Sequence, residues 1–269
     1  MSFFRTHKVS LPILYMCLGI FLSLLGTWFF ARGTIVAAYE QAWISVFPSA
    51  ALAVGFADRH FNSRMSASYD IDRAAYFYGI AEELDPSYPY VFHQLARIEF
   101  LKGDFYTALY YINKEIELHG ETESNTYYVR GLIEGYMGDY ASAAKDYERY
   151  LEFDPNNWAG LNDYAWVLLK AGRFEDAEVA TQKGLAYFPE NPWLLNNYSI
   201  SLYEQGRTEE AYAAVVRAVR AANNVTEEEW LRAYPGNDPK VAGEGVVALR
   251  KAAADNMRAI LAAAENSPN

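Results

Sequence analysis

The chain has 269 residues, a formal net charge of −11 and a single cysteine, Cys17. An acidic chain repels phosphate backbones, so the composition argues against nucleic acid as a partner. One cysteine also excludes a disulfide bond within the chain.

The first predicted element is an apolar segment, Leu11–Ala31, which carries no charged side chain. It has the length of about 20 residues that a helix needs to cross the hydrocarbon core of a membrane. Positive charge is heavier before the segment, at Arg5 and Lys8, than after it, at Arg32. The pattern predicts a cytoplasmic tail at residues 1–10, one transmembrane helix, and the rest of the chain on the periplasmic or extracytoplasmic side.

Three alternatives remain open at this end of the chain. A cleaved signal peptide usually has a shorter apolar run than this one. A lipid on Cys17 would need a small residue before it, and Met16 stands there instead. A second span at Trp43–Ala57 would return the remaining chain to the cytoplasm, although this stretch is short and contains Pro48.

The next elements lead into the main body of the chain. Residues 32–47 are mostly apolar and predict a membrane-proximal helical linker. Residues 48–88 predict an irregular opening repeat, with one helix inside Pro48–Asn62 and a second from Asp70 to the stop at Pro86. The loop between the two helices is long for a regular repeat.

From residue 89 onward, the sequence repeats itself every 34 or 35 residues. A glycine recurs in the middle of each unit, at Gly103, Gly138, Gly172 and Gly206. An alanine follows at a fixed distance, at Ala108, Ala143, Ala177 and Ala211. Units end at Pro86, Pro155 and Pro189, and His119–Gly120 fills the missing place.

Each recurring residue type has a physical role. Glycine adopts the backbone conformation that ends one helix and lets another begin, and alanine lets two helix backbones approach closely. Proline stops the second helix of a unit because it cannot continue the helical hydrogen bonding. The pattern therefore predicts four helix–turn–helix units over residues 89–223.

The C-terminal elements follow the last unit. Thr226 and Glu229 have the spacing of a capping box at the start of a helix. Pro235–Pro239 predicts a turn, and Lys240–Ala264 predicts one long amphipathic helix. Residues 224–264 are therefore expected to cap the array, and residues 265–269 form a tail.

The period and its punctuation resemble the tetratricopeptide repeat, a helix–turn–helix unit of 34 residues. The resemblance is loose at the aromatic start of each unit, where the sequence has Phe92, Tyr127, Leu161 and Leu195. It implies an all-α fold, a solenoid that forms a right-handed superhelix of repeats, here preceded by the N-terminal transmembrane helix.

In this family, the first helices of successive units line a concave groove that takes a peptide or a partner helix. Carried over position by position, the resemblance places sixteen candidate residues in the groove: Tyr90, His93, Gln94, Arg97, Phe100, Asn125, Tyr128, Tyr136, Asn162, Asp163, Trp166, Lys170, Trp193, Asn196, Asn197 and Tyr203. Aromatic side chains are frequent among them, and such side chains are common at binding hot spots.

The same positions indicate how a partner would be held. Gln94, Asp163 and Asn197 occupy one equivalent place, which resembles an amide ladder for a peptide backbone, although Val129 interrupts it. Basic groove residues are few, so a clamp for a C-terminal carboxylate is not expected. The acidic balance favours a basic or neutral partner segment.

Catalysis has no support in the sequence. A phosphate-binding glycine loop, a nucleophile elbow and a metal-spaced His/Cys cluster are all missing from it. We therefore expect no catalytic residue, no cofactor and no metal. The leading hypothesis is a membrane-anchored scaffold or adaptor for protein–protein interaction in an envelope or membrane-associated assembly. The alternatives are binding of a glycan or another polymer through the aromatic groove, and a non-catalytic subunit of an enzyme complex.

Overall fold

A computed structural model of the chain describes residues 33–120, 124–234 and 236–266, and every regular element in these ranges is helical. Helix α1 occupies residues 33–46. The elements after it are α2 (Ala50–His60), α3 (Ile71–Leu84), α4 (Val91–Lys102), α5 (Phe105–His119), α6 (Ser124–Met137), α7 (Tyr140–Phe153), α8 (Trp158–Lys170), α9 (Phe174–Tyr187), α10 (Pro192–Glu204), α11 (Thr208–Asn224), α12 (Glu227–Ala233), a 3₁₀ turn (Pro239–Val241) and α13 (Ala242–Asn266).

The four recurring glycines lie at the corners between paired helices, as the sequence predicted. Their φ angles are +81° at Gly103, +88° at Gly138, +74° at Gly172 and +77° at Gly206. This left-handed region is unfavourable for a residue with a Cβ atom. The expectation that these glycines occupy equivalent inter-helix corners is confirmed.

The four recurring alanines lie where the paired helices approach each other. Each of the four, Ala108, Ala143, Ala177 and Ala211, is fully buried in the second helix of its pair. A larger side chain would have to push the neighbouring helix away, because protein interiors are close-packed. The complete burial of these alanines supports their predicted role.

Side chains also fix where helices begin and end. Asp104 and Asp139 accept backbone hydrogen bonds at the starts of α5 and α7, and Asn157 and Asn191 do so at the starts of α8 and α10. Helices α3, α7 and α9 each end two residues before the predicted prolines, Pro86, Pro155 and Pro189.

From α2 to α11 each helix packs against the next, and hydrophobic clusters follow one another along the array. Phe77 lies in the cluster of the opening helices, Ile133 and Leu168 in the two clusters that follow, and Leu202 and Trp230 in those near the C-terminal end. A core that continues from repeat to repeat is the mark of a solenoid.

A buried carboxylate attaches α1 to the array. Glu40 is fully buried, and its Oε2 accepts hydrogen bonds from Nε and Nη2 of Arg73 at 2.9 and 2.7 Å. Nε2 of His60 lies 3.1 Å from the same oxygen, and Arg59 lies 3.4 Å from Oε1. The predicted linker helix is therefore docked on α2 and α3 through its only acidic residue.

The C-terminal elements close the far end of the array. The capping box between Thr226 and Glu229 is present, as predicted. Helix α13 packs along α11 and also contacts α12. It begins at Ala242 rather than at Lys240, because Pro239 opens a separate 3₁₀ turn before it, and it continues to Asn266.

The predicted localisation is corrected by the structure. None of the helices in the described ranges is both long enough and apolar enough to cross a membrane. The prediction of a single-pass membrane protein with its repeats on the periplasmic side is therefore wrong on this finding. The predicted span itself, Leu11–Ala31, lies outside the described residues.

Candidate functional site

The first helices of the four repeats form one continuous wall. Helix α4 contacts α6, α6 contacts α8, and α8 contacts α10, although each of these pairs is separated by a second helix in the sequence. The side chains on this wall are the candidate functional site. We call it the groove wall.

A polar network runs across the centre of the groove wall. The hydroxyl of Tyr128 on α6 donates to Oδ2 of Asp163 on α8 at 2.5 Å, and Nδ2 of Asn162 donates to Oδ1 of the same carboxylate at 3.0 Å. Nδ2 of Asn197 on α10 donates to the backbone oxygen of Asn162 at 3.1 Å. The network therefore connects three consecutive repeats.

Burial has the largest effect on the pKa values of this network. It raises the pKa of Asp163 to about 6, although the hydrogen bonds from Tyr128 and Asn162 act in the opposite direction. The pKa of Tyr128 is raised for the same reason, with the charge of Asp163 as the next cause. A carboxyl group whose pKa is raised towards neutral pH thus lies at the middle of the groove wall.

A cavity of about 280 Å³ lies beside the network, between α4, α6 and a loop from the C-terminal end. His93, Arg97, Phe100, Asn125 and Tyr128 line it. Burial lowers the pKa of His93 to about 3, with Arg97 as the second cause, so its ring is neutral at pH 7. The cation of this cavity is therefore Arg97.

Aromatic rings extend the groove wall along the array. Tyr136 packs between Phe100 and Trp166, at ring-centroid distances of 5.1 and 5.4 Å. Tyr136 remains 57% exposed. At the far end, Trp158 and Trp193 stack at 5.3 Å. The wall therefore offers aromatic surface on α4, α6, α8 and α10.

A segment from the C-terminal end lies against this wall. We call the described residues from the end of α12 to the 3₁₀ turn, 233–234 and 236–238, the strap. The hydroxyl of Tyr69 donates to the backbone oxygen of Gly236 at 2.5 Å. Ala233, Tyr234 and Asn237 form one side of the cavity whose other side is α4 and α6. The strap therefore reaches from Trp193 at one end of the wall to the opening helices at the other.

The sequence of the repeats matches a known family. The tetratricopeptide repeat family matches residues 128–192 and 168–226. Together the two matches cover residues 128–226. No curated protein matches the chain.

Solved structures extend the likeness along the chain. A crystal structure of MamA is 17% identical and has a TM-score of 0.56, covering 65% of this chain and 92% of that one. YrrB, described as a TPR protein with an unusual peptide-binding site, is 17% identical with a TM-score of 0.57, covering 69% and 93%. At this identity the likeness shows the fold alone. The fold is an all-α, tetratricopeptide-type solenoid.

Within the helical array, the structure brings many of the sixteen candidate residues together. Ten lie in the polar network, the cavity or the aromatic row: His93, Arg97, Phe100, Asn125, Tyr128, Tyr136, Asn162, Asp163, Trp166 and Asn197. Trp193 lies beside Tyr234 of the strap. Whether these residues bind a partner stays a prediction.

Other candidates have different neighbours. Asn196 accepts a hydrogen bond from Asn256 of α13, and Tyr203 packs against the buried cluster that includes Ile260 of α13. The backbone N–H of Tyr90 donates to the buried carboxylate of Glu115 at 3.0 Å. Two further candidates stand apart from the network: Gln94, which accepts from Arg97, and Lys170, which is exposed.

The amide ladder has internal partners at the positions that the sequence singled out. Both hydrogen bonds from Nδ2 of Asn197 go to Asn162, to its backbone oxygen and to its Oδ1. Asp163 is held by Tyr128 and Asn162. These side chains therefore connect repeats to one another in the structure.

Sequence reasoning missed the residues outside the four repeats that lie at or beside the groove wall. Tyr234 and Gly236 of the strap and Tyr69 of the opening repeat are the main ones. The available signal was local: an aromatic residue directly before the predicted turn at Pro235–Pro239. In the described ranges, no group of three His, Cys, Asp or Glu side chains is arranged to hold a metal ion.

Proposed function

We propose that the chain is a non-enzymatic scaffold whose groove wall binds a segment of a partner protein. The observation that carries the proposal is the continuity of the wall, on which polar and aromatic side chains of four successive first helices form one surface. Helical-repeat proteins use such extended surfaces to hold other chains.

The aromatic row supports a protein segment as the ligand. Tyr136, flanked by Phe100 and Trp166, offers a ring that is more than half exposed but whose position its neighbours fix. Rigid aromatic rings supply large contact area at a small cost in conformational entropy. A partner side chain that packs on this row would gain binding energy without reordering it.

Charge supports a neutral or basic partner segment. The chain carries a formal net charge of −11, and the centre of the groove wall holds the carboxylate of Asp163. Complementary charge raises the association rate and disfavours partners of like sign. The peptide-binding site named for YrrB, which shares the fold, favours the same mode of binding.

The proposal is tested by selecting 12-residue peptides from a display library on the full-length chain. Binding of a selected peptide is then measured by fluorescence anisotropy. We expect Tyr136→Ala to weaken binding at least tenfold. The matched control is Tyr106→Ala on the second helix α5, where the side chain is 81% exposed, and it should leave binding unchanged. Equal affinity for the two variants would overturn the proposal.

A further inference from the structure

The first contact of the strap is at Gly236, whose backbone conformation favours glycine and which lies close to Phe61 and Arg97. Gly236 has a φ of +98°. A Cβ atom at this position would lie 2.6 Å from Nη2 of Arg97 and 3.1 Å from Cζ of Phe61. The guanidinium of Arg97 in turn lies 4.9 Å from the ring centroid of Phe61. The strap is thus seated on α4 and on the end of α2 rather than held away from them.

The second contact is made by the aromatic ring of Tyr234. Tyr234 lies 5.0 Å from the Trp230 ring and 6.1 Å from the Trp193 ring. The pKa of Tyr234 is raised, first by burial and then by the charge of Asp163. The ring therefore lies against the groove wall and close to the carboxylate at its centre.

The third contact is a hydrogen bond to the strap backbone. Tyr69 donates its hydroxyl proton to the carbonyl oxygen of Gly236, and the pKa of Tyr69 is raised to about 12 by burial, then by Asp238. Grooves hold foreign peptides through hydrogen bonds to the peptide backbone and through pockets for its side chains. Here the same contacts are made within the chain.

We infer that the strap is an internal ligand of the groove wall, and that a partner segment binds by displacing it. The inference rests on the proposed function of the groove wall. Helices α12 and α13 keep the strap tethered after release, so it competes at a high effective concentration. The apparent affinity for a partner then equals the intrinsic affinity multiplied by the fraction of molecules in which the strap is released.

The inference also describes the partner. The segment that replaces the strap carries an aromatic side chain for the place of Tyr234 beside Trp193. Two positions further on, it presents a backbone carbonyl to the hydroxyl of Tyr69. The residue at that second position is glycine, because the backbone there has a φ of +98°.

The strap is opened experimentally by Gly236→Ala, which places an alanine at an unfavourable φ and brings its Cβ atom against Phe61 and the end of the Arg97 side chain. The matched control is Gly206→Ala, which has a similar φ of +77° but no atom within 4 Å of the added Cβ. We expect amide exchange at residues 233–238 to be at least tenfold faster in the first variant. In the control, exchange in this segment should equal that of the wild type.

Displacement is measured with a fluorescein-labelled peptide that has the sequence of residues 228–238. We expect this peptide to bind Gly236→Ala at least tenfold more tightly than it binds the wild type or Gly206→Ala. Equal binding to the three chains, or no binding to Gly236→Ala, would overturn the inference. The proposed function of the groove wall is tested separately. It fails if peptides selected on Gly236→Ala bind with the same affinity when Tyr136 is also replaced by alanine.

A second variant guards against a folding defect in Gly236→Ala. Tyr69→Phe removes only the hydroxyl that bonds to the strap, and its control is Tyr164→Phe, which removes a hydroxyl bonded to Glu148 away from the groove wall. We expect faster exchange at residues 233–238 and tighter peptide binding in Tyr69→Phe alone. The same response in both variants would contradict a specific role for the strap.

Discussion

The corner glycines provide the sharpest test of the repeat architecture. At Gly138, the φ angle is +88° and a Cβ atom would meet nothing within 4 Å. The cost of Gly138→Ala is therefore conformational alone, about 1–2 kcal/mol for an L-residue in the left-handed region. A loss of 1.4 kcal/mol is about a tenfold change in the unfolding equilibrium constant.

The assay is guanidinium unfolding of the full-length chain, followed by the helical circular dichroism signal. Gly79→Ala is the control, because Gly79 lies inside α3, also has open space around it and does not have a positive φ. Alanine should stabilise that helix by about 0.5–1 kcal/mol. Gly138→Asn should cost less than Gly138→Ala, because asparagine tolerates the left-handed region. If Gly138→Ala were as stable as the wild type, the corner would not have this conformation.

Three further substitutions probe the core, the opening helix and a buried carboxyl group. Leu194→Ala, at a fully buried position, should lower the free energy of unfolding by about 2–5 kcal/mol in the same assay. Glu40→Gln removes the charge that faces Arg73 and should speed amide exchange in residues 33–46 at least tenfold, leaving α9 unchanged. Burial and the charge of Asp146 raise the pKa of Glu134 to about 7. The wild type should therefore lose stability relative to Glu134→Gln as the pH rises from about 4.5 to 7, by on the order of 1–2 kcal/mol. Thermal denaturation of both chains at several pH values in this range measures the difference.

The repeats could be predicted from the sequence because their determinants are local. A glycine at a helix corner and an alanine five residues later act on immediate neighbours, so their spacing predicted the corners at Gly103 and Gly138 and the close approach at Ala108 and Ala143. The capping box at Thr226 is equally local. Such signals need no knowledge of the rest of the chain.

The candidate site was less predictable because its contacts join distant parts of the chain. Tyr69 and Gly236 are separated by 167 positions, and nothing in either local sequence indicates the other. Glu40 is the single acidic residue of the predicted apolar linker, yet its partner Arg73 lies 33 positions away. Asn197 was placed by analogy with a ligand-binding amide, whereas its amide bonds to the preceding repeat.

The most direct test of partner binding in the groove is photo-cross-linking with a selected peptide. Benzoylphenylalanine replaces Tyr136 on α6 in one variant and Tyr106 on α5 in the other, two exposed tyrosines on different faces of the array. The proposed function predicts a cross-linked peptide adduct from position 136 and none from position 106. An adduct from position 106 alone would contradict it, because the partner would then bind the second helices instead of the groove wall.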